Sequence, residues 1–270
     1  MKKSISFYFG YEKEPAERAK LIKDAGFDNV ITNADKRFNS QNGSIRRQVK
    51  IFKKAGLGLS SLHMQYRADF LHYFWEKGIM GEKLKKRLIK DVNLASKYGF
   101  SCVVVHLDGN FSSLGKKRLL DVLKVCEKKN IPLAIENIHN QPLFVKVFEE
   151  IDSPYMKFCY DSGHNNVFDK DFDYLDRYAG KLIALHLHDN DGTADKHTLS
   201  RFNGTIDWDK IGHSLAKIIK NNPNISLDYE IMMREGKDEL SLVDCLAEVK
   251  KQADALEKII NDELDLLKKQ

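Results

Sequence analysis

One feature constrains this chain more than any other: a short β-branched or aromatic run followed by an amphipathic stretch, repeated eight times. The apolar runs begin near Ser4 (SISFYFG), Asn29 (NVITNA), Leu57 (LGLSSLH), Cys102 (CVVVH), Pro132 (PLAIEN), Met156 (MKFCYD), Leu182 (LIALHLH) and Ser226 (SLDYEI). Between them, helical periodicity covers residues 15–25, 44–55, 82–98, 116–129 and 207–220. Strands separated by helices can pair in parallel only through crossovers, so the pattern predicts an α/β chain folded as a single (β/α)8 barrel over residues 1–270. A Lys/Glu/Asp/Leu-rich segment over about 240–267 reads as a long closing helix. Pro15 suits a first helical turn and Ser44 an N-cap. Gly26, Gly56, Gly99 and Gly180 stand where a helix needs a left-handed stop. Two strand-to-strand intervals are long and place loops at 65–80 and 189–206 over the C-terminal mouth, as potential lids.

The remaining numbers exclude alternatives. With 42% hydrophobic residues in 270, the chain can bury a large core, and five prolines are too few for a disordered or collagen-like protein. No apolar run approaches the roughly 20 residues of a membrane helix. The basic, then apolar, N-terminus is broken by Glu12, Lys13 and Glu14 before it becomes a signal sequence. Four cysteines, Cys102, Cys126, Cys159 and Cys245, have neither metal-ligand nor redox-pair spacing. A reduced, soluble, cytoplasmic protein is expected, with homo-oligomers allowed. Residues 1–100 carry 21 Lys+Arg against 10 Asp+Glu, which is read first as solvated outer helix faces and second as a phosphate-tracking half.

The strand ends carry the chemistry. His63 ends the third strand, His106 the fourth, Glu136 the fifth, Asp161 the sixth, His186 and His188 the seventh, and Glu230 the eighth. Side chains alternate faces along a strand, so the inward sets are Cys102, Val104 and His106; Ala134 and Glu136; Cys159 and Asp161; and Ala184, His186 and His188. Ile183, Leu185 and Leu187 then face the helices. One inward histidine is ordinarily structural. Six strand ends aiming imidazoles and carboxylates at one mouth are not, because buried carboxylates without counter-charge repel one another. A divalent cation is the expected resolution, and this ligand mixture suits Zn, Mn, Co or Fe better than Ca.

Four motifs then carry a resemblance: Ile135-Glu136-Asn137, Asp161-Ser162-Gly163-His164, His186-Leu187-His188-Asp189-Asn190-Asp191-Gly192 and Leu227-Asp228-Tyr229-Glu230-Ile231. In order and strand position they resemble the xylose isomerase-like TIM barrels, from about Ile5 to Leu246. That superfamily includes sugar-phosphate isomerases and epimerases and the endonuclease IV group of abasic-site nucleases. The resemblance implies metal ligands at Glu136, Asp161, His186 and Glu230. His164 matches a substrate contact in the isomerases and a ligand in the nucleases. His63, His106, Asp195 and His197 match further nuclease ligands, or sugar contacts. One to three divalent ions per chain are thus implied, with Zn, Mn or Co favoured and Mg or Fe allowed. Where relatives run through a Gly-x-Gly turn to Ile-Asp-Trp, this chain has Thr198–Gly204, one residue longer and with one glycine. Asp195 and His197 then have an alternative reading as a loop cap and an exposed histidine.

The activity implied is isomerisation or epimerisation of a sugar or sugar phosphate. Glu136 and Glu230 would move a proton through a cis-enediolate, on a carbonyl polarised by the metal. His188, Arg201 and Arg234 are further candidate substrate contacts, although His188, like His72, His139 and His213, reads more simply as structural or superficial. The alternative is a metal-dependent phosphodiesterase acting on abasic DNA, with Tyr66 and Arg67 entering the nucleic acid at the lesion. A lyase or dehydratase, and a non-catalytic sensor barrel, are the remaining classes.

Overall fold

Each apolar run becomes a strand: β1 (Lys3–Ser6), β2 (Asn29–Asn33), β3 (Gly58–His63), β4 (Cys102–Val105), β5 (Leu133–Glu136), β6 (Met156–Asp161), β7 (Leu182–His186) and β8 (Leu227–Tyr229). The computed structural model describes residues 1–64, 68–234 and 238–269. All eight strands lie in one sheet, in the order β7-β6-β5-β4-β3-β2-β1-β8, and every pair is parallel. Just above β7 and β8, Leu187 pairs with Tyr229, and the Glu230 amide donates to the Leu187 carbonyl at 3.0 Å. That seam makes the sheet a nearly closed barrel. TIM-barrel active sites lie over the C-terminal strand ends, so this geometry sets where to look.

Local signals explain the helices. Ser44 caps the helix Ile45–Ala55, accepting the Arg47 amide, and Gly56 ends it at φ 74°. Ser112 does the same for Ser113–Lys129, and Pro15 opens Pro15–Asp24. Gly26 and Gly99 also take positive φ, whereas Gly180 does not. The helix Tyr174–Arg177 runs on into a tight 3-10 turn, Ala179–Lys181, whose right-handed dihedrals make no use of glycine's freedom. The closing helix spans Leu242–Leu267.

The core has two layers. Phe7, Phe52, Val103, Phe158, Leu185 and Leu227 pack between strands and helices. Cys102, Val104, Ala134, Cys159 and Ala184 form a separate cluster inside the barrel, matching the inward sets read from the alternation. Ile183 is the exception. The register between β6 and β7 slips from Phe158–Leu182 to Cys159–Ala184, and Ile183, left over at this irregularity, packs against the inner cluster. The four cysteines are buried and free. Among the described residues, no helix is long and apolar enough to cross a membrane.

The first long loop is partly built down rather than poised. Phe74 and Trp75 are buried, and the Arg118 guanidinium donates to the carbonyls of Phe74 (2.8 Å) and Glu76 (2.7 Å). Tyr66 and Arg67 lie outside the described residues.

One buried charge away from the mouth gives a clean test of stability. Asp91 is 0% exposed on the helix Ile79–Tyr98, and burial pushes its carboxyl up to about 6 despite Arg87 Nε at 3.2 Å. The unfolded chain ionises near 3.8, so stability supplied below that pH is lost as pH rises to about 6. Relative to Asp91→Asn, the wild-type protein should lose about 2 kcal/mol between pH 4 and 6.5, most of what roughly two pKa units at 1.36 kcal/mol each supply. Urea midpoints of both proteins across that range check it, and parallel curves would refute it.

Candidate active site

The last residues of β3, β5, β6 and β7, with the residues just beyond β4 and β8, turn six titratable side chains into one mouth. Glu136 is the centre. Its Oε2 lies 3.2 Å from His63 Nε2, 3.1 Å from His106 Nε2 and 3.1 Å from His186 Nδ1. His186 Nδ1 is also 3.1 Å from Glu230 Oε2, so one imidazole nitrogen faces two carboxylates from opposite strands. Asp161 completes this group: ligand atoms of Glu136, Asp161, His186 and Glu230 all fall within 4.8 Å of one another. His63, Glu136 and His186 make a second such group, and His164, Asp195 and His197 a third.

Local structure explains the aim of each side chain. Asp161 ends β6 and caps the helix Ser162–Phe168, accepting the His164 amide at 2.6 Å. His164 therefore sits one turn above Asp161, its Nδ1 3.3 Å from Glu136 Oε1 and its Nε2 3.4 Å from Asp195 Oδ2. Asp195 and His197 come in from the 189–206 loop and meet at 3.1 Å. They are neither a bare loop cap nor an exposed histidine. His197 is held at φ 50° with its Nδ1 2.9 Å from the Glu230 carbonyl. His188, the plainer structural candidate, is buried with Nε2 3.1 Å from Asp161 Oδ1, and it stacks on His197 at 3.9 Å.

Charge is balanced internally. Burial opposes ionisation of Glu136, but His106 and His186 outweigh it and hold the carboxyl well below the usual carboxylate range. Glu230 is likewise lowered against burial by His186 and His197, and Asp195 by His164 and His197. The partners move the other way. Against burial, Asp161, Asp195 and Glu136 hold His164 well above its ordinary value. His186 is raised against burial by the Cys159 sulfur, Glu230 and Glu136. Asp195 and Glu230 bring His197 up to about 9, again against burial. His106, more dominated by burial, is lowered. The metal-free cage is thus a set of imidazolium–carboxylate contacts.

The donor set also fits a cation. His186 Nε2, His188 Nδ1 and Asp195 Oδ1 are buried without a hydrogen-bond partner, which is costly unless something else contacts them. These groups could hold a metal ion, and nothing in them selects which one.

A cavity of about 190 Å³ opens above. His63, His106, Glu136, His164 and Glu230 form its reactive side, and Phe7, Tyr8, Phe38 and Met232 wall the other, with Arg234 beside them. Arg201 does not line it; its guanidinium lies 5.3 Å over the Phe202 ring. A larger cavity of about 290 Å³, beside Lys170 and Lys210, contains none of the converging groups, so chemistry rather than volume locates the site.

Several contributors were not singled out from sequence. Asn137 clamps Asp161 through both backbone groups, at 2.7 and 2.9 Å. Gly163 leaves room for His188, whose Cε1 would lie 1.9 Å from any added Cβ. Asp228, one layer beneath Glu230, is buried and accepts from Ser60 Oγ (2.5 Å) and Ser226 Oγ (2.6 Å). The asparagine in Glu-Asn and the glycine in Ser-Gly-His were visible signals. In the longer turn that stands where relatives have Gly-x-Gly, Asn203 takes φ 60°.

Known proteins can now be compared with this geometry. A profile described as xylose isomerase-like TIM barrel matches residues 19–269. Uncharacterized protein y4fM of Sinorhizobium fredii is 29% identical over 255 residues, covering 79% of each chain. A D-tagatose 3-epimerase-like protein superposes with TM-score 0.72 at 14% identity, over 98% of this chain and 100% of that one. D-psicose 3-epimerase from Clostridium cellulolyticum H10, solved with D-tagatose, gives 0.66 at 16% identity, over 98% and 96%. At such identities the two structures speak for the fold.

Proposed function

The chain belongs to the xylose isomerase-like TIM barrel family, and from that premise we propose that it is a divalent-metal-dependent isomerase or epimerase of a sugar or sugar phosphate. One observation carries the reading. Glu136 and Glu230, from two different strands, both line the one small cavity and each approach His186 Nδ1 at 3.1 Å, which supplies the two carboxylates that a two-base proton exchange uses. Neighbours named for tagatose and psicose epimerisation support the substrate class.

In this mechanism Glu136, Asp161, His186 and Glu230 would hold the ion, which would supply Lewis-acid polarisation of the substrate carbonyl. One glutamate takes the proton from the carbon beside the carbonyl, and the C–H electrons move onto oxygen to give an enediolate. The other glutamate, or the same one, returns a proton to the opposite face or to the neighbouring carbon. His164, holding its proton, donates to the developing oxyanion. The apolar wall of Phe7, Phe38 and Met232 excludes water from that step, and Arg234 receives a phosphate or hydroxyl.

A second reading, phosphodiester hydrolysis at clustered metals, has its own support in the His164–Asp195–His197 group, which adds ligands beyond what a single ion needs. Protein loaded with Mn²⁺, Co²⁺ or Zn²⁺ should be incubated with a panel of ketoses and ketose phosphates in D₂O, and with an abasic-site duplex. Deuterium at the carbon next to the carbonyl, with the duplex intact, is the expected result. Strand cleavage without deuterium incorporation would replace this reading with the second.

A further inference from the structure

The 189–206 loop reaches the site on a single buried carboxylate. Asp189 is 1% exposed and follows His188 directly. Its Oδ1 accepts from the amides of Asn190 (2.8 Å), Thr205 (3.0 Å) and Ile206 (3.2 Å). Its Oδ2 accepts from Ser200 Oγ (2.7 Å) and from Trp208 Nε1 (2.9 Å). Its own backbone pairs with Thr198 in both directions, at 2.9 and 3.0 Å. Gly204 packs so closely that an added Cβ would lie 2.4 Å from Asp189 Oδ2, so the glycine kept in this longer turn is the one the carboxylate requires.

We propose that Asp189 is a positioning residue: it clamps the base of the arm and thereby places Asp195 and His197 against His164 and Glu230. The arm needs such a clamp because His197 stands at φ 50°, a conformation that a histidine holds only when its surroundings over-determine it. At the tip, the arm is held by the Met232 amide on the His197 carbonyl (2.8 Å), His197 Nδ1 on the Glu230 carbonyl (2.9 Å), the His197 stack on His188 and the approach of Asp195 to His164 (3.4 Å). At the base, one carboxylate gathers five donors. Such a hub is strong because each bond is charge-assisted and ends on a buried carboxylate. The ligand role of the arm rests on the function proposed above; its placement by Asp189 does not.

The test uses Asp189→Ala and Asp189→Asn in the full chain, with two readouts that differ from turnover. The first is the rate of tryptic cleavage after Lys196, measured against cleavage elsewhere in the chain. The second is zinc affinity and zinc equivalents per chain. Asp189→Ala should be cut after Lys196 about 10- to 100-fold faster, and should bind arm-dependent zinc 10- to 100-fold more weakly, with Glu136-group zinc unchanged. Asp189→Asn should fall between, since its amide oxygen can keep the Thr205 and Ile206 amides while losing the indole N–H. If Asp189→Ala does not fold, Trp208→Phe removes one donor of the five and should accelerate the same cleavage to a smaller degree. Wild-type cleavage rates in these variants would overturn the proposal. Faster cleavage in a protein that binds no zinc would uphold the clamp and count instead against the metal-dependent function.

Discussion

Glu136→Gln at saturating Mn²⁺ should exchange substrate hydrogen with solvent about a hundred- to ten-thousandfold more slowly than wild type, because a positioned base is worth 10²–10⁴ in rate. The substitution keeps shape and removes only charge, at an atom facing three imidazoles at 3.1–3.2 Å. Metal affinity should fall too, which is why the comparison is made at saturation. Glu230→Gln should behave differently. Where Glu136 is the base, proton removal survives and the proton returns to the face it left, so deuterium enters while the product fails to form. Measuring exchange and product separately, for each substrate direction, distinguishes the two roles. Near-wild-type exchange in Glu136→Gln would end the two-glutamate scheme.

Stripping the metal should have the second large effect. A ligand at about a thousand times its dissociation constant stabilises by about 4 kcal/mol, roughly 8 °C in midpoint for a chain of this size. Its pH dependence has a definite sign. In metal-free protein His164 and His186 lie well above 6.5 and His197 near 9, so at neutral pH the cage holds protons where a cation would bind. Those protons stabilise the metal-free fold below pH 6.5, and that contribution fades as pH rises through about 9. Binding a cation displaces them and is favoured as pH rises. The gap between loaded and chelated midpoints should therefore widen from pH 6 to 9. Calorimetric scans with and without EDTA would show it, and a constant gap would mean that these imidazoles are not displaced.

Much of this architecture was legible because it depends on neighbours close in the chain. Alternation in CVVVH and LIALHLH places Cys102, Val104 and Ala184 inside the barrel, where they are found. It misplaces Ile183, because the β6–β7 irregularity belongs to a pairing and not to either strand alone. The seat of His188 against Asp161 was hidden because it depends on the missing Cβ of Gly163, on the neighbouring strand end. Asp195 and His197 were ambiguous for the same kind of reason. Their approach runs through a loop folded back on Asp189 and turned at Asn203, contacts between residues far apart in the motif. The short helices Lys36–Asn42, Gln141–Glu150 and Ser162–Phe168 also went unassigned. The last begins directly after Asp161, the final residue of β6, with no linker to announce it.

That last helix has a consequence for what the site can recognise. Asp161 caps it and His164 is its third residue, so two of the converging groups are separated by one rigid helical step, about 4.5 Å of axial rise. The spacing is a gauge cut into the backbone. Exchanging side chains can change the chemistry at either end, but the span between them stays the same.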